Sequence, residues 1–529
     1  MNEPPQPPIG DRSPLVRFGR WLFSWRTLRR TLIGIGWTAT LIALLYGEEN
    51  WRGRRAWNKY RQALEAAGEQ LDVRAFIPKP IPDEQNFAAT PFIKSWFARS
   101  SGEDPWDDDY LQASKGISDP VGKPNSPSRS FMDLVAWAMA FDAVRSGNPG
   151  RRQRLDASQL DPESRAKAAA SVLEGLKGSE ASLNELRAAS QRPYSQYPVM
   201  YDLDNPWGIR LPHLSKLRAA VLRLRLKACA ELAAGRSEDA LQDVKLMFYL
   251  VDSVKDEIFL ISSVVRLVCW QLALQPIWEG LAEHRWSEAQ LRELQTRLQQ
   301  CDLVTDLKRP LAGERAAGIL TADLLVRKKY RLSDLIDKPE PTGSLANVVG
   351  RVVPRGWYYQ EQLNYCRLYQ EQLNGTLDAA RKTISPSRIA AHAHELERQI
   401  AGGRTGKGLK AILHHQVLAT MLLPALSKPH LKAATAQTAA DQAALACALE
   451  RYRLANGQFP ERLELLAPRF LSRWPHDVIT GEPYQYRRTD DGQFLLYSVG
   501  WNERDDGGAP GNTLFDENQG DWVWEYPPP

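Results

Sequence analysis

Near the start of this chain lies a run with no acidic or basic residue, Thr31 to Gly47 (TLIGIGWTATLIALLYG), and it constrains the fold more than any other feature. As a helix, these 17 residues span about 26 Å, close to the thickness of a bilayer's hydrocarbon core. Arg29 and Arg30 precede the run and can extend it by snorkelling, while Trp21, Trp25 and Trp51 flank it as interfacial anchors. The run therefore reads as a single-pass transmembrane helix at 31–47, behind a basic Pro/Arg-rich tail at 1–30. Its exit, Leu45-Tyr46-Gly47-Glu48-Glu49-Asn50, offers no small-residue cleavage site, so an uncleaved signal anchor is expected. Five arginines before the run (Arg17, Arg20, Arg26, Arg29, Arg30) balance five basic residues after it (Arg52, Arg54, Arg55, Lys59, Arg61). Charge counting thus leaves the orientation open.

The remaining sequence is globular in composition. A net charge of +5 over 529 residues is too mild for a dedicated nucleic-acid binder, and the length allows two to four domains. The five cysteines (Cys229, Cys269, Cys301, Cys366, Cys447) are widely separated, without CxxC or metal-site spacing, and read as small core residues rather than a disulfide framework.

Trp51 to Leu71 reads as an amphipathic helix leaving the membrane. Prolines 78, 80, 82 and 91 then interrupt helical periodicity, so 48–129 is expected to be a juxtamembrane helix and a Pro-rich linker or strap. Within it, Glu103 to Asp109 is an acidic cluster expected to be a solvated loop. From 130 to 430 the periodicity is helical: Leu217, Ala220, Val221, Leu224, Ala228 and Leu232 make one apolar stripe. Gly235 can end that helix, and Ser237, Glu238 and Asp239 suit the start of the next, Ala240 to Val251. The stretch Ala228 to Asp243 looks like one tetratricopeptide helix-turn-helix, without a continuing 34-residue period. Ser287 and Gln290 stand in capping-box positions. The expected fold class is mainly α: antiparallel helical hairpins, partly TPR-like, forming a scaffold more suited to binding than to catalysis.

Chemical motifs are scarce. Gly402 to Gly408 (GGRTGKG) invites a phosphate-loop reading but has Ala401 at the first glycine position and Gly408 at the magnesium-binding Ser/Thr position. His392 and His394 are two residues apart and His414 and His415 adjacent, spacings that suit no single-helix chelate, and Glu395 completes no HExxH. G-x-S-x-G is absent, and no cysteine has a recognisable nucleophile context. The segment YQEQLN recurs at Tyr359 and Tyr369, ten residues apart, and reads as a long polar helix whose copies face different sides. Trp137, Trp207, Trp270, Trp278 and Trp286 read as helical core rather than a carbohydrate-binding surface.

From 431 to 529 the pattern changes to a small α+β domain. Lys432 to Asn456 is a long Ala-rich helix with a stripe of Ala444, Leu445, Ala448, Leu449 and Tyr452, ended by Gly457. A short helix (Glu461 to Leu466), a turn at Thr480-Gly481, a strand at Tyr484 to Arg487, a hairpin turn at Asp490-Asp491-Gly492 and a strand at Phe494 to Val499 follow. Gly500 to Pro529 is mostly loop, with Glu503, Asp505, Asp506, Asp516, Glu517, Asp521 and Glu525 against Arg504, a local net charge of −6.

The run ALERYRLANGQFP (Ala448 to Pro460), Asp477 to GEPYQY (Gly481 to Tyr486), LLYSVG (Leu495 to Gly500) and the closing GDW (Gly520 to Trp522) resemble the globular domain of type II secretion major pseudopilins. With PDEQNFA (Pro82 to Ala88), the whole chain resembles a family of uncharacterised, membrane-anchored bacterial proteins carrying this ending. The pseudopilin resemblance implies calcium in the acidic loop, on Asp505, Asp506, Asp516 and Asp521, since calcium takes six to eight hard oxygen ligands; the alternative is a merely solvated acidic loop. Pseudopilus assembly is not expected, because nearly four hundred residues separate the apolar helix from this domain and the glutamate usual early in a pseudopilin helix is missing.

Together these readings give an extracytoplasmic scaffold or interaction protein, secretion- or envelope-associated. It would be anchored in the inner membrane with its bulk in the periplasm and its protein partners in the envelope. No nucleic acid, small-molecule substrate or catalytic residue is identified. The alternatives are an envelope hydrolase, whose site would be assembled from distant helices around His392, His394, Glu395, His414 and His415, and a cytoplasm-facing helical scaffold, which the free cysteines favour.

Overall fold

In the computed structural model, which describes Phe18, Trp21 and residues 24–98, 106, 108–115, 117, 128–147, 162–327, 329, 353–400, 414–423 and 426–526, the Ser24 hydroxyl accepts the Thr27 amide and caps a 42-residue helix α1, Trp25–Ala66. Most of the 1–30 tail, Glu103 to Pro105 and the Gly402 to Gly408 loop lie outside the described residues. The span and the amphipathic helix expected after it are continuous, because nothing between Gly47 and Trp51 breaks helical geometry. The apolar part of α1 is bare: Trp37 is 73% exposed and Leu44 66%. This segment is long and apolar enough to cross a membrane. The second part of α1 packs against the body through buried Gly53 and Trp57.

The body is mainly helical. α2 (Leu134–Arg145), α3 (Pro162–Gly175) and α4 (Lys177–Ala189) flank α5 (Pro212–Ala233), followed by α6 (Ser237–Asp252), α7 (Leu260–Ala282), α8 (Glu288–Gln299), α9 (Lys308–Val326), α10 (Arg355–Leu373), α11 (Pro386–Ile400) and α12 (Ser427–Asn456). The α5–α6 turn is closed by Gly235 at φ +75°, with the Arg236 amide donating to the Glu231 carbonyl at 2.7 Å, a Schellman closure at the expected glycine. The Ser287–Gln290 capping box starts α8 as expected. α7 is also long and apolar enough to span a bilayer, but most of it is buried among α5, α6 and α12, with Trp270 and Trp278 fully enclosed.

Three expectations change. The acidic cluster is not simply a solvated loop: Asp108 is buried and accepts from Arg223 at 2.8 and 2.6 Å, while the Arg223 guanidinium lies over Trp106 and Tyr110. The long YQEQLN helix forms as α10, but several of its polar residues are not left in water. It lies between α1 and α9, with Glu361, Gln362, Tyr365 and Tyr369 buried and the Tyr369 hydroxyl donating to the Leu311 carbonyl at 2.6 Å. Trp207, by contrast with the other four helical-context tryptophans, is 37% exposed on a 3-10 turn, its indole donating to Thr321. Cys229, Cys269, Cys366 and Cys447 are buried, Cys301 is half-buried, and all are free thiols.

At the C-terminus, α12 ends at Gly457 (φ +80°), and a three-stranded antiparallel sheet follows in the order β3 (Gln485–Arg488), β4 (Phe494–Ser498), β5 (Trp522–Trp524). Tyr486 pairs with Leu496, and Leu496 with Trp524. Every residue of β4 is buried, because its two faces are covered differently. Phe494 and Leu496 join the main core with α12, while Leu495 and Tyr497 lie under the acidic loop. Gly508 makes that cover possible: at φ +82°, a Cβ there would sit 2.3 Å from Leu495. α12 packs on both α7 and α8, so the segment expected to begin a separate domain at 431 shares one core with the helical body.

Candidate functional site

Where the C-terminal segment meets the helical body, a cleft of about 90 Å³ is lined by Gln299, Cys301, Asp302, Lys382, Gln437, Asp441, Arg473 and His476, among others. Its residues come from four places in the chain. Lys382 sits on the hairpin between β1 (Leu377–Asp378) and β2 (Thr383–Ile384), whose Ile384 amide donates to the Val478 carbonyl at 2.8 Å. Asp302 caps the short helix Leu303–Asp306 through the Thr305 amide and pairs with Lys382 at 2.5 Å. Burial works against ionising Asp302, but those bonds outweigh it and hold the carboxyl below its usual range.

Gln437 joins the sides of the cleft. Its carbonyl oxygen accepts the Leu303 amide at 2.7 Å, and its amide nitrogen donates to Asp441 at 3.1 Å and approaches Cys301 Sγ at 3.7 Å. Asp441 also accepts from the Tyr484 hydroxyl at 3.3 Å. Packing around it disfavours the charged form and pushes the carboxyl up to about 7. The cleft therefore holds an ion pair at its rim and, beneath it, an acid that titrates near neutral pH. Sequence reading missed this group. One signal was present: Asp441 stands three and four residues before Ala444 and Leu445, on an otherwise apolar stripe.

The acidic loop is closed by its own carboxylates. Asp521, almost fully buried, accepts the amides of Asp506 (3.2 and 3.1 Å) and Gly508 (2.6 Å). Asp516 accepts those of Asn512, Asn518 and Gln519, Asp505 accepts from Gly507 and the Tyr497 hydroxyl, and Asp506 from Asn502. Calcium would need these oxygens turned toward a common centre. Asp516 and Asp521 face backbone amides, Asp505 a backbone amide and the Tyr497 hydroxyl, and Asp506 the Asn502 side-chain amide, and among the described residues no group of three or more His, Cys, Asp or Glu is placed to hold a metal. The structure thus brings the expected residues Asp505, Asp506, Asp516 and Asp521 into one loop, which Asx-type bonds to amides help to close.

The histidine constellation is likewise dispersed. His392 packs by the Gln372 carbonyl, His394 is exposed beside Glu397, Glu395 pairs with Arg398, and His415 stands edge-on to Trp357 at 5.3 Å. None of them lines the cleft. Comparison with family models, with curated proteins and with solved structures gives no match.

Proposed function

We propose that this chain is a single-pass, membrane-anchored scaffold or interaction protein of the inner membrane, its body and C-terminal α+β segment on the periplasmic side and its role tied to secretion or envelope organisation. One observation carries the reading: the apolar part of α1 is exposed along its length and continues without a break into a part docked on the body. An apolar helix of that size left in water would be an aggregation site, and a bilayer covers it. The body fits a framework role, because its core is built from layered helical hairpins. The secretion link rests on the pseudopilin resemblance of the C-terminal sequence, whose segment runs helix, hairpin, acidic loop and a third strand in this chain. Buried cysteines suit either compartment, since burial holds the Cys269 thiol up to about 12 and the Cys366 thiol up to about 11, where they do not react. Alkaline carbonate extraction tests the anchor. The full chain stays with the membrane pellet, and its release into the supernatant would contradict the reading.

A further inference from the structure

Resting on the anchoring reading, we infer that the body lies directly on the bilayer surface, with the basic residues around the helix exit set against anionic lipid headgroups. The last residue of the uncharged run is Gly47, and docking begins at Glu49 and Asn50: the Asn50 side-chain carbonyl accepts the Gly356 amide at 2.6 Å, and Gln360 donates to Glu49 at 3.4 Å. Three helical residues past Gly47 cover only about 4.5 Å. The headgroup layer is itself about 6 Å deep on each side. The first contact between α1 and α10 therefore falls within headgroup depth, and there is no length of free chain to lift the body away.

The crossing is also rigid. A Cβ on Gly356 would lie 2.1 Å from the Glu49 carbonyl oxygen, and one on Gly53 2.4 Å from the Gly356 carbonyl oxygen, so two backbones touch where side chains usually separate helices. Beyond it, Trp57 is buried and Tyr60 packs on the same core.

Charge then names the occupant. Arg52 is tied to Glu48 and Glu49, but Arg54, Arg55 and Arg355 are exposed at this crossing and have no carboxylate partner among the described residues. Arg55 lies over the ring of Trp51, which is 63% exposed, the pairing of cation and indole that suits a headgroup layer. His415, edge-on to Trp357 beside that crossing, places the 414–415 segment of the body on the same side.

The full chain, reconstituted in vesicles of zwitterionic lipid or of zwitterionic plus anionic lipid, carries a fluorophore at His414→Cys or, as a control farther along α1, at Glu65→Cys. Headgroup-attached quenchers reduce the residue-414 signal at least about twofold and leave the residue-65 signal nearly unchanged, more so with anionic lipid, and Arg54→Gln with Arg55→Gln and Arg355→Gln removes that lipid dependence. A chain retained by the vesicles after carbonate whose residue-414 signal is unquenched, or whose quenching ignores lipid charge, overturns this inference alone. A chain that carbonate releases overturns the anchoring reading and this inference with it.

Discussion

Asp108 and Arg223 show how much a single pair decides in this fold. Arg223 belongs to α5, next to stripe residue Leu224, and its side chain is 2% exposed. Buried, it needs a carboxylate, and Asp108 supplies one from a segment more than a hundred residues earlier. Asp108→Ala leaves a buried cation without its counterion and is expected to lower stability by about 3 kcal/mol in urea unfolding, while Arg223→Met in the same chain restores most of the loss. A single variant as stable as the parent would contradict this pairing. Asp441 gives a pH-dependent counterpart. Its folded carboxyl titrates near 7 against an ordinary value of 3.8, so the fold binds the proton more tightly than the unfolded chain does. Its effect is absent at low pH, where both states are protonated, and grows as a loss of stability as pH rises from about 4 to 7. Asp441→Asn, which can keep the Gln437 and Tyr484 contacts, is therefore expected to raise the melting temperature by about 2 °C at pH 8 and by nothing at pH 4. Neither group's partner could be read locally: a carboxylate on an apolar stripe signals a buried acid, but Gln437 and Tyr484 become its neighbours only in the fold.

At the scale of elements, the readings that succeeded rest on short-range chemistry. The Ser287–Gln290 box, the glycine closures at Gly235 and Gly457 and the Asp491-Gly492 hairpin turn depend on bonds within a few residues, so the sequence carries them in full. The readings that changed depend on what packs against the element. A lone Gly53 in an exposed helix would weaken it, but here it permits α10 to approach, and the same approach buries the YQEQLN helix that composition marked as polar. Gly356→Val would force a side chain against the Glu49 carbonyl, a backbone atom that has nowhere to move. The expected cost is about 3 kcal/mol of local stability. Limited trypsin digestion checks it: the variant is cut faster than the parent within Arg52 to Arg61, and an unchanged cleavage rate there would contradict the close crossing. The acidic loop teaches the same lesson in reverse. Its charge was legible, but that Asp505, Asp516 and Asp521 accept amides of their own loop depends on the turn each aspartate makes.

For the whole molecule, the uncharged run that constrained the reading at the outset is half of a longer device. α1 couples a segment long and apolar enough to cross a membrane to a body whose main core runs from α1 to β5 through α7 and α12. The C-terminal segment is thus built into the helical body rather than suspended from it. The proposed function puts this body outside the cytoplasm. Protease treatment of spheroplasts producing the chain with a C-terminal epitope tests it most directly. The expected result is loss of the epitope in intact spheroplasts while a cytoplasmic marker survives. An epitope that persists until detergent opens the membrane would contradict it.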